Sequence, residues 1–392
     1  MSKTFKETIR RYCSKDVYSK PQTWYLMGTA NNDLKIENSG TNILRKDFIY
    51  GHRSFFAQYV KEAVDALEGD EFLVPKERFA NVCHYNGLDR EQYTSWVMLA
   101  AYHTTEEDGE ITEDKLKRIS MLAWAFEAAC TSVVLTDDYM DGETSRWKKP
   151  SWCRLSNIGN TVITDGDLLR MSGFYMIRKY FRDQAYYASL LNLLNDMCFM
   201  TAVGQTMDMY ASKKFKQYRD INIYNLKKYY QMGIYKSYIP IFRCCTVAAL
   251  YLTNTTSEYL KYEHVFKKFG SHGQITNDLY DLYGKYENFG RNSSDIKEGK
   301  FSWVVSTATD HANDKQKLLL QKNYGRSEPE CQQVVLDVYK EIDVLQKFYE
   351  YKNELLKEVR NDLKTVSNPK ILSIVENYIN LYIDVDYDFR PY

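Results

Sequence analysis

The sequence has few of the residues that usually break up or cross-link a fold. It contains 7 prolines in 392 residues, and most long stretches between them carry helical periodicity. Its 8 cysteines form no CxxC pair and no zinc-like spacing with the 6 histidines. We therefore expect free, buried thiols in a reducing compartment. The sequence shows no alternating strand pattern, hairpin signal, internal repeat or low-complexity tract.

The charge balance and the apolar runs exclude two further classes of protein. Lys plus Arg is 52 and Asp plus Glu is 52, so no overall basic field indicates a nucleic acid partner. No apolar run reaches about 18 residues, so we expect no membrane span. The basic start of the chain lacks the apolar core of a secretory signal. A mitochondrial leader stays open there, although Glu7 and Asp16 count against one, and we expect a cytoplasmic protein.

Five long stretches with helical periodicity predict an all-α fold. Several are apolar nearly all round, which is typical of the interior of a large helical bundle. Residues 28–45 are polar and rich in Asn, Gly and Thr, and are interpreted as a linker. We predict a partly flexible N-terminal extension over residues 1–46 and one all-α domain over residues 47–392. The predicted helices cover residues 115–135, 166–180, 186–210, 224–252 and 328–359.

Two clusters of acidic residues end apolar helical segments. In T-D-D-Y-M-D, Asp137 and Asp141 are four residues apart and share one helix face. In T-N-D-L-Y-D, Asn277 and Asp281 repeat that spacing. If the two helices face each other, their oxygen atoms converge on one cavity. The candidate metal ligands are Asp137, Asp141, Asn277, Asp278 and Asp281, with Asp138 as a further candidate catalytic acid.

Acid clusters beside apolar segments are costly to desolvate unless cations or water accompany them. A single cluster is equally well explained as a solvated helix end. Two clusters favour a metal–diphosphate site, because hard oxygen ligands suit Mg²⁺, which shares its coordination with waters and phosphates. Basic residues that follow each cluster are candidates to bind the diphosphate: Arg146 after the first, and Arg291 and Lys300 after the second.

Six motifs in a fixed order resemble the trans-isoprenyl diphosphate synthase family, and farnesyl diphosphate synthases most. They are T-D-D-Y-M-D, D-G-D-L-L, V-G-Q-T-M-D, Y-K-S-Y-I-P, G-Q-I-T-N-D-L-Y-D-L-Y-G and S-D-I-K-E-G-K-F-S-W. The resemblance implies a helical bundle of the isoprenoid synthase (class I terpenoid synthase) type with a central cavity. It also implies a prenyl diphosphate substrate, three Mg²⁺ ions for which Mn²⁺ can substitute, and a homodimer. By motif position it implies a role in substrate binding for Gln205, Asp208, Tyr235 and Gln274.

The chain departs from the family where the family binds isopentenyl diphosphate. Glu91 and Thr94 stand where the family has Lys and Arg. Cys130 replaces a Gln, and Trp147 replaces a second Arg after Arg146. An acid at position 91 would repel a diphosphate. A chain that keeps the ionising half of the site and loses the acceptor half resembles the insect terpene synthases derived from farnesyl diphosphate synthases.

Two pairs of residues bear on the allylic substrate. Ser132 and Val133 occupy positions where the farnesyl-producing family often has bulky aromatic residues, so a deeper cavity is implied. Such a cavity suits a C15 substrate, with C10 left open and C20 less favoured. A Lys-Thr pair of the family is replaced by Gln231 and Met232, and Lys236, about a turn further on, is the candidate substitute.

We therefore predict a sesquiterpene synthase. Mg²⁺ and the basic residues would stabilise the leaving diphosphate of farnesyl diphosphate, and aromatic faces would stabilise the carbocation. The product would be a hydrocarbon or an alcohol. The first alternative is a prenyltransferase with a rebuilt isopentenyl diphosphate site, which would incorporate that second substrate. The second is a non-catalytic subunit that binds a partner, and the intact acids argue against it.

Overall fold

The computed structural model describes residues 46–88, 92–106, 111–284 and 294–385, together with Tyr387 and Phe389. Helices make up most of these residues, and the only sheet among them is one antiparallel pair of two-residue strands. The predicted all-α fold is confirmed. The predicted linker, Glu91 and Arg291 lie outside the described residues.

The elements follow one another along the chain with mostly short connections. The first half contains α1 (Lys46–Ser54), α2 (Phe56–Asp65), α3 (Leu73–Gly87), α4 (Tyr93–Thr105), α5 (Glu113–Met140), β1 (Ser145–Arg146), β2 (Lys149–Pro150), α6 (Val162–Phe181) and α7 (Tyr187–Tyr218). The second half contains α8 (Leu226–Gly233), a π-helix (Ile234–Arg243), α9 (Cys244–Leu252), α10 (Thr256–Tyr259), α11 (Glu263–Tyr283), α12 (Asp295–Glu298), α13 (Trp303–His311), α14 (Asp314–Asn323), α15 (Pro329–Ile342), α16 (Val344–Leu363), α17 (Pro369–Tyr378) and a short π-helix (Ile379–Ile383).

The described residues divide into two compact units. The first unit contains residues 46–140, Ser151–Cys198 and Cys244–Tyr259. The second unit contains Asp141–Pro150, Phe199–Arg243 and the chain from Leu260 onward. Helix α7 therefore contributes its first part to one unit and its second part to the other. A single domain over residues 47–392 stays a prediction.

Glycines allow α5 and α6 of the first unit to pack backbone against backbone. A Cβ atom at Gly173 would lie 2.7 Å from the carbonyl oxygen of Ala125. A Cβ atom at Gly166, two turns earlier on α6, would lie 3.3 Å from the carbonyl oxygen of Ser132. Because no larger side chain fits at Gly173, the two helices pack closely. Their contact helps to bury the apolar middle of α5, where Trp124 is almost inaccessible to solvent.

Helix α5 is also the one helix, among the described residues, that is long and apolar enough to cross a membrane. The apolar window of α5 is 78% buried inside the structure, which is typical of the core helix of a folded protein. The charged residue Glu127 interrupts the apolar run in the sequence, and its side chain is buried as well.

The π-helix of the second unit is contacted by two helices through glycines. A Cβ atom at Gly204 of α7 would lie 2.9 Å from the backbone nitrogen of Lys236, and one at Gly270 of α11 would lie 2.4 Å from the Cα atom of Tyr238. Wide helical turns of this kind are frequent at functional sites. The single helix predicted over residues 224–252 is therefore wrong in detail, because α8, the π-helix and α9 follow one another there.

Two other local features differ from the sequence prediction. The helix predicted over residues 328–359 is divided at Asp343, which has a φ of +57° and accepts a hydrogen bond from the Gln346 backbone N–H. Strands β1 and β2 form a hairpin that the sequence did not reveal. Its two turn residues, Trp147 and Lys148, have φ values of +51° and +63°, as a type I′ turn requires.

Candidate functional site

The first acidic motif lies at the end of α5. Asp137 is half-buried and Asp138 is buried, both in the last turn of the helix. Asp141 is the first residue after the helix, and Gly142 follows with a φ of +71°. Glycine adopts that left-handed conformation at no steric cost, so it is well suited to end a helix. The motif therefore places three carboxylates at a helix terminus, but Asp141 lies one residue beyond the helix whose face it was predicted to share with Asp137.

Asp141 and Lys300 form an ion pair in the second unit. The Lys300 ammonium group donates to the Asp141 carboxylate, and both side chains are largely buried. The backbone of Lys300 is held as well, because its N–H donates to the Asp295 carbonyl at 3.0 Å and its carbonyl accepts from the Tyr324 hydroxyl at 2.7 Å. Lys300, the candidate donor to the diphosphate, is thus in direct contact with an acid of the first motif.

The carboxylate of Asp278, in the second acidic motif, is bonded by three protein donors. The Tyr229 hydroxyl and the Trp303 backbone N–H each donate to it at 2.7 Å. The Gln274 amide donates at 3.0 Å. Burial raises the pKa of Asp278 to about 6, although these hydrogen bonds and the charge of Lys236 act in the opposite direction. Asp278 is therefore a fixed, buried acid.

Asp281 anchors the start of α12. Its carboxylate accepts hydrogen bonds from the backbone N–H groups of Ser294, at 3.1 Å, and Asp295, at 3.0 Å. The Ser294 hydroxyl donates in turn to the Glu143 carboxylate at 2.6 Å. These bonds connect the chain that follows the first motif with the chain that follows the second. Of the second motif, only Asn277 has an exposed side chain.

A second acid–lysine pair lies on α7 and the π-helix. The Lys236 ammonium group donates to Asp208 at 2.6 Å, and the Phe301 backbone N–H donates to the other carboxylate oxygen at 3.2 Å. Gly204 makes this pair possible, because it lies one turn before Asp208 and lets α7 approach the π-helix backbone. Gln205, the next residue, is buried.

Arg146 lies on β1, half-buried and directly opposite Lys149 of β2. Like charges at opposite positions of an antiparallel pair repel each other, so this pair favours a nearby anion. Tyr235 is half-buried on the π-helix. At the altered Lys-Thr position, Gln231 is exposed and Met232 is buried.

The residues expected near the isopentenyl diphosphate site form a polar network in the first unit. The Thr94 hydroxyl donates to the buried Glu127 carboxylate, and the Ser95 backbone N–H donates to it at 3.0 Å. Cys130 is half-buried. Burial raises the pKa of the Cys245 thiol well above its ordinary value, and the nearby Cys244, Cys130 and Glu127 raise it further.

The two residues expected to make the cavity deeper also lie in the first unit. Ser132 is buried, and its hydroxyl donates to the Ala129 carbonyl at 2.9 Å. Val133 is half-buried on the next position of α5. Both are small, and Gly166 of α6 packs against the Ser132 backbone.

The polyprenyl synthetase family model matches residues 81–342, two thirds of the chain. The chain belongs to the polyprenyl synthetase family. The farnesyl pyrophosphate synthase of Zea mays is 27% identical over 337 residues, which cover 84% of this chain and 95% of that relative. The bifunctional chrysanthemol synthase of Tanacetum cinerariifolium is 29% identical over 273 residues, or 68% of each chain. The farnesyl diphosphate synthase of T. brucei, solved with the bisphosphonate BPH-722, has a TM-score of 0.81 at 19% identity and covers 86% of this chain and 99% of its own.

These comparisons confirm the resemblance to the trans-isoprenyl diphosphate synthase family and the isoprenoid synthase type of fold. They contradict the predicted function. The relatives that match along most of their length are farnesyl pyrophosphate synthases, so the prediction of a sesquiterpene synthase, a lyase, is wrong. The chain is an enzyme of the prenyl diphosphate synthase family, and the alternative of a prenyltransferase fits better.

Members of this family generally use Mg²⁺. Among the described residues, no three His, Cys, Asp or Glu side chains are grouped to hold a metal ion by themselves. The acids of both motifs nevertheless offer only oxygen ligands, and Asp141, Asp278 and Asp281 already accept hydrogen bonds from protein donors. This donor set fits Mg²⁺, which usually takes one or two carboxylates and completes its coordination with waters and substrate phosphates.

The sequence did not identify several residues that shape the site. Tyr229 is 49 residues from its partner Asp278, so spacing gives no signal for that bond. Glu143 follows the first motif by two residues, and an additional acid there was the one visible signal. Ser294 begins the S-D-I-K-E-G-K motif, but its hydroxyl and N–H acquire their roles only through contacts with Glu143 and Asp281.

Proposed function

We propose that the chain is a prenyl diphosphate synthase that couples an allylic prenyl diphosphate to isopentenyl diphosphate. The observation that carries this proposal is the match to a farnesyl pyrophosphate synthase over 95% of that relative's length. In the coupling, the carbon–oxygen bond to the allylic diphosphate breaks and a carbon–carbon bond to the isopentenyl group forms. The acceptor then loses a proton.

The side chains of the site divide into metal ligands and donors to the diphosphate in this proposal. Three Mg²⁺ ions, for which Mn²⁺ can substitute, would neutralise the charge that develops on the leaving diphosphate. Asp137, Asp141 and Asn277 would supply protein oxygens to them. Lys236 and Lys300 would donate hydrogen bonds to diphosphate oxygens, from positions that their present contacts with carboxylates already fix. Among the other predicted residues, the buried acid Asp138, the amides of Gln205 and Gln274, Arg146, Arg291 and Tyr235 would complete the binding of the substrate.

The isopentenyl diphosphate site would be rebuilt from other residues than in the family. Thr94 and Cys130 carry no positive charge, but the hairpin after the first motif reads R-W-K-K. Its cations at Arg146 and Lys149 stand opposite each other and so favour an anion between them. The substitution Lys149→Gln should therefore raise KM for isopentenyl diphosphate more than KM for the allylic substrate.

The product length would depend on the small residues Ser132 and Val133. If they border the growing chain, Val133→Phe should shorten the main product by one isoprene unit. We further propose a homodimer, which is supported by the exposed apolar side chains of Phe199, Met209 and Tyr210 on α7. Light scattering of the purified protein, and of a Tyr210→Asp variant, would test that proposal.

The decisive experiment uses radiolabelled isopentenyl diphosphate with geranyl diphosphate, Mg²⁺ and the purified chain. We expect label in a longer prenyl diphosphate, and no label with the Asp137→Ala variant. Release of diphosphate and terpenes without incorporation of label would overturn the proposal. Incorporation by the Asp137→Ala variant at the wild-type rate would refute the assignment of the metal ligands.

A further inference from the structure

The last three described residues of the chain are apolar and buried. Val385, Tyr387 and Phe389 are 8%, 8% and 7% exposed. In the sequence they are separated by Asp386 and Asp388. Val385, Tyr387 and Phe389 are together named here the 385–389 segment.

The 385–389 segment packs against the helical turn that carries the second acidic motif. The ring of Phe389 lies 4.8 Å from the ring of Tyr280, between centroids, and 6.4 Å from the ring of Tyr283. The ring of Tyr387 lies 6.2 Å from that of Tyr280 and is stacked on that of Phe389 at 5.2 Å. Tyr280 stands between Asp278 and Asp281 in the sequence, so the segment contacts the motif itself.

Two hydrogen bonds fix Tyr387, one to the short π-helix and one to α11. Its hydroxyl donates to the Tyr382 carbonyl at 2.7 Å, and its oxygen lies 2.7 Å from Nε2 of His272. Because the phenol has one proton, the His272 ring donates the second hydrogen bond. His272 is buried and precedes Asp278 by six residues on α11. The segment is thus attached to α11 at two places.

Helix α16 holds the segment from another direction. The Lys352 ammonium group donates to the Val385 carbonyl at 2.7 Å and lies 5.0 Å from the centre of the Tyr387 ring. The ring of Phe348 is 5.4 Å from that of Tyr387 and 5.6 Å from that of Phe389. Aromatic pairs at these separations are stabilising beyond the area that they bury. The segment therefore connects α16 to the acidic turn of α11.

The contact with Tyr280 bears on Asn277 in particular. Residues three apart are neighbours on a helix surface, so Tyr280 and Asn277 lie one above the other. Asp278 and Asp281 already accept hydrogen bonds from the protein, whereas the Asn277 side chain is exposed. The oxygen of Asn277 thus lies on the part of α11 whose position the segment supports.

We infer that Tyr387 and Phe389 are positioning residues for the second acidic motif. They support the turn from Asn277 to Asp281, and metal–diphosphate binding at this motif depends on that support. The inference rests on the proposed function, since it takes the motif to bind a metal and a diphosphate. Neither aromatic side chain needs to touch the substrate.

The test compares Tyr387→Ala and Phe389→Ala with Tyr378→Ala. Tyr378 is a suitable control because it is fully buried and packs on the same helix, against Phe266 and Phe269, but two to four turns before the acids. Binding of Mn²⁺ is measured by electron paramagnetic resonance in the presence of inorganic pyrophosphate, well below the melting temperature of each variant. Removing a supporting partner of a metal ligand typically weakens metal binding by about tenfold or more.

We expect the half-saturating Mn²⁺ concentration to rise by about tenfold for Tyr387→Ala and Phe389→Ala, and to change less than about twofold for Tyr378→Ala. All three should lower the melting temperature. Tyr387→Phe, which keeps the ring and removes the bond to His272, should fold well and give an intermediate rise.

Equal Mn²⁺ affinities in the segment variants and the control would overturn the inference, because the segment would then contribute to stability alone. Incorporation of labelled isopentenyl diphosphate by the wild-type chain separates this failure from a failure of the proposed function. If the wild-type chain binds no Mn²⁺ with pyrophosphate, both are overturned. If it incorporates label and binds Mn²⁺ while the variants match Tyr378→Ala, only the inference fails.

Discussion

The ammonium group of Lys236 contacts one buried carboxylate and lowers the pKa of a second. It donates to Asp208 at 2.6 Å and lowers the pKa of Asp278 against the effect of burial. We predict that Lys236→Met reduces kcat/KM for the allylic diphosphate by at least about tenfold, or about 1.4 kcal/mol. Lys236→Arg should retain part of the activity. The exposed Lys227 provides the control, and Lys227→Met with an equal loss would contradict the assigned role.

The hydroxyl of Thr94 stabilises a buried acid. It donates to Glu127, which also accepts from the Ser95 backbone N–H. Thr94→Val keeps the shape and removes the donor, so we predict a loss of about 2 kcal/mol in the free energy of unfolding. Thr94→Ser retains the hydroxyl and should lose much less. Urea unfolding measures both, and equal stabilities of the two variants would show that the hydrogen bond contributes nothing.

At this scale the sequence identifies acids better than their partners. Residue type and spacing were enough to select Asp141 and Asp278, but Lys300 is 159 residues from the acid that it contacts. The functional prediction relied on residues such as Thr94, which carries no positive charge where the family has one. In the fold Thr94 bonds Glu127, but it is the farnesyl pyrophosphate synthases matching most of the chain that contradict the prediction. Aligning the sequence with a family shows which family side chain is missing at a position, but it does not show which other residue takes over its role.

Close helix packing at glycine makes the elements sensitive to a single methyl group. A Cβ atom at Gly173 would meet the Ala125 carbonyl oxygen at 2.7 Å, whereas one at Gly233 would have no atom within 4 Å. We predict that Gly173→Ala lowers the free energy of unfolding by about 1–3 kcal/mol, since the backbone of α5 must move. Gly233→Ala should be neutral or stabilise α8 by up to about 1 kcal/mol. Both variants are compared by thermal unfolding. An equal loss of stability in the two would contradict this account of the α5–α6 contact.

Helices were predictable where apolar periodicity and backbone geometry agree. The predicted segments 115–135 and 166–180 lie inside α5 and α6, because those helices are regular α-helices that keep their apolar periodicity. The π-helix was not predicted because its sequence keeps much of the apolar pattern of an α-helix. Pro240, which lacks an N–H donor, lies within it. The hairpin escaped because a Trp-Lys turn carries none of the Asn or Gly residues that usually mark a type I′ turn.

On the scale of the whole molecule, each compact unit buries a histidine that carries a shifted pKa. His52 in the first unit stacks on Trp124, with ring centroids 4.7 Å apart, and His272 in the second unit bonds Tyr387. Burial lowers the pKa of His52 to about 3, with a smaller contribution from Arg53. Burial likewise lowers the pKa of His272 to about 3. Both units therefore require a neutral imidazole.

The direction of the pH dependence follows from these shifts. Both folded-state pKa values lie below the unfolded value near 6.5, so the unfolded chain binds more protons once the pH falls below about 6.5. Stability is then lost progressively down to about pH 3, and at pH 5 each histidine costs about 2 kcal/mol. Asp278 acts in the opposite direction, because its raised pKa of about 6 lets the folded state take up a proton first.

We therefore predict that removing one buried imidazole makes the protein less sensitive to acid. His52→Phe keeps a ring against Trp124 and removes the titrating group, so the Asp278 contribution cancels when the variant is compared with the wild type. Urea unfolding at pH 7.5 and pH 5 should show that the wild-type chain loses about 2 kcal/mol more than His52→Phe over this interval. His272→Phe should reduce the acid sensitivity by a similar amount, although it also loses the bond to Tyr387 at both pH values. A wild-type chain and a His52→Phe variant with parallel pH profiles would show that this imidazole is protonated in the folded state, which its complete burial against Trp124 argues against.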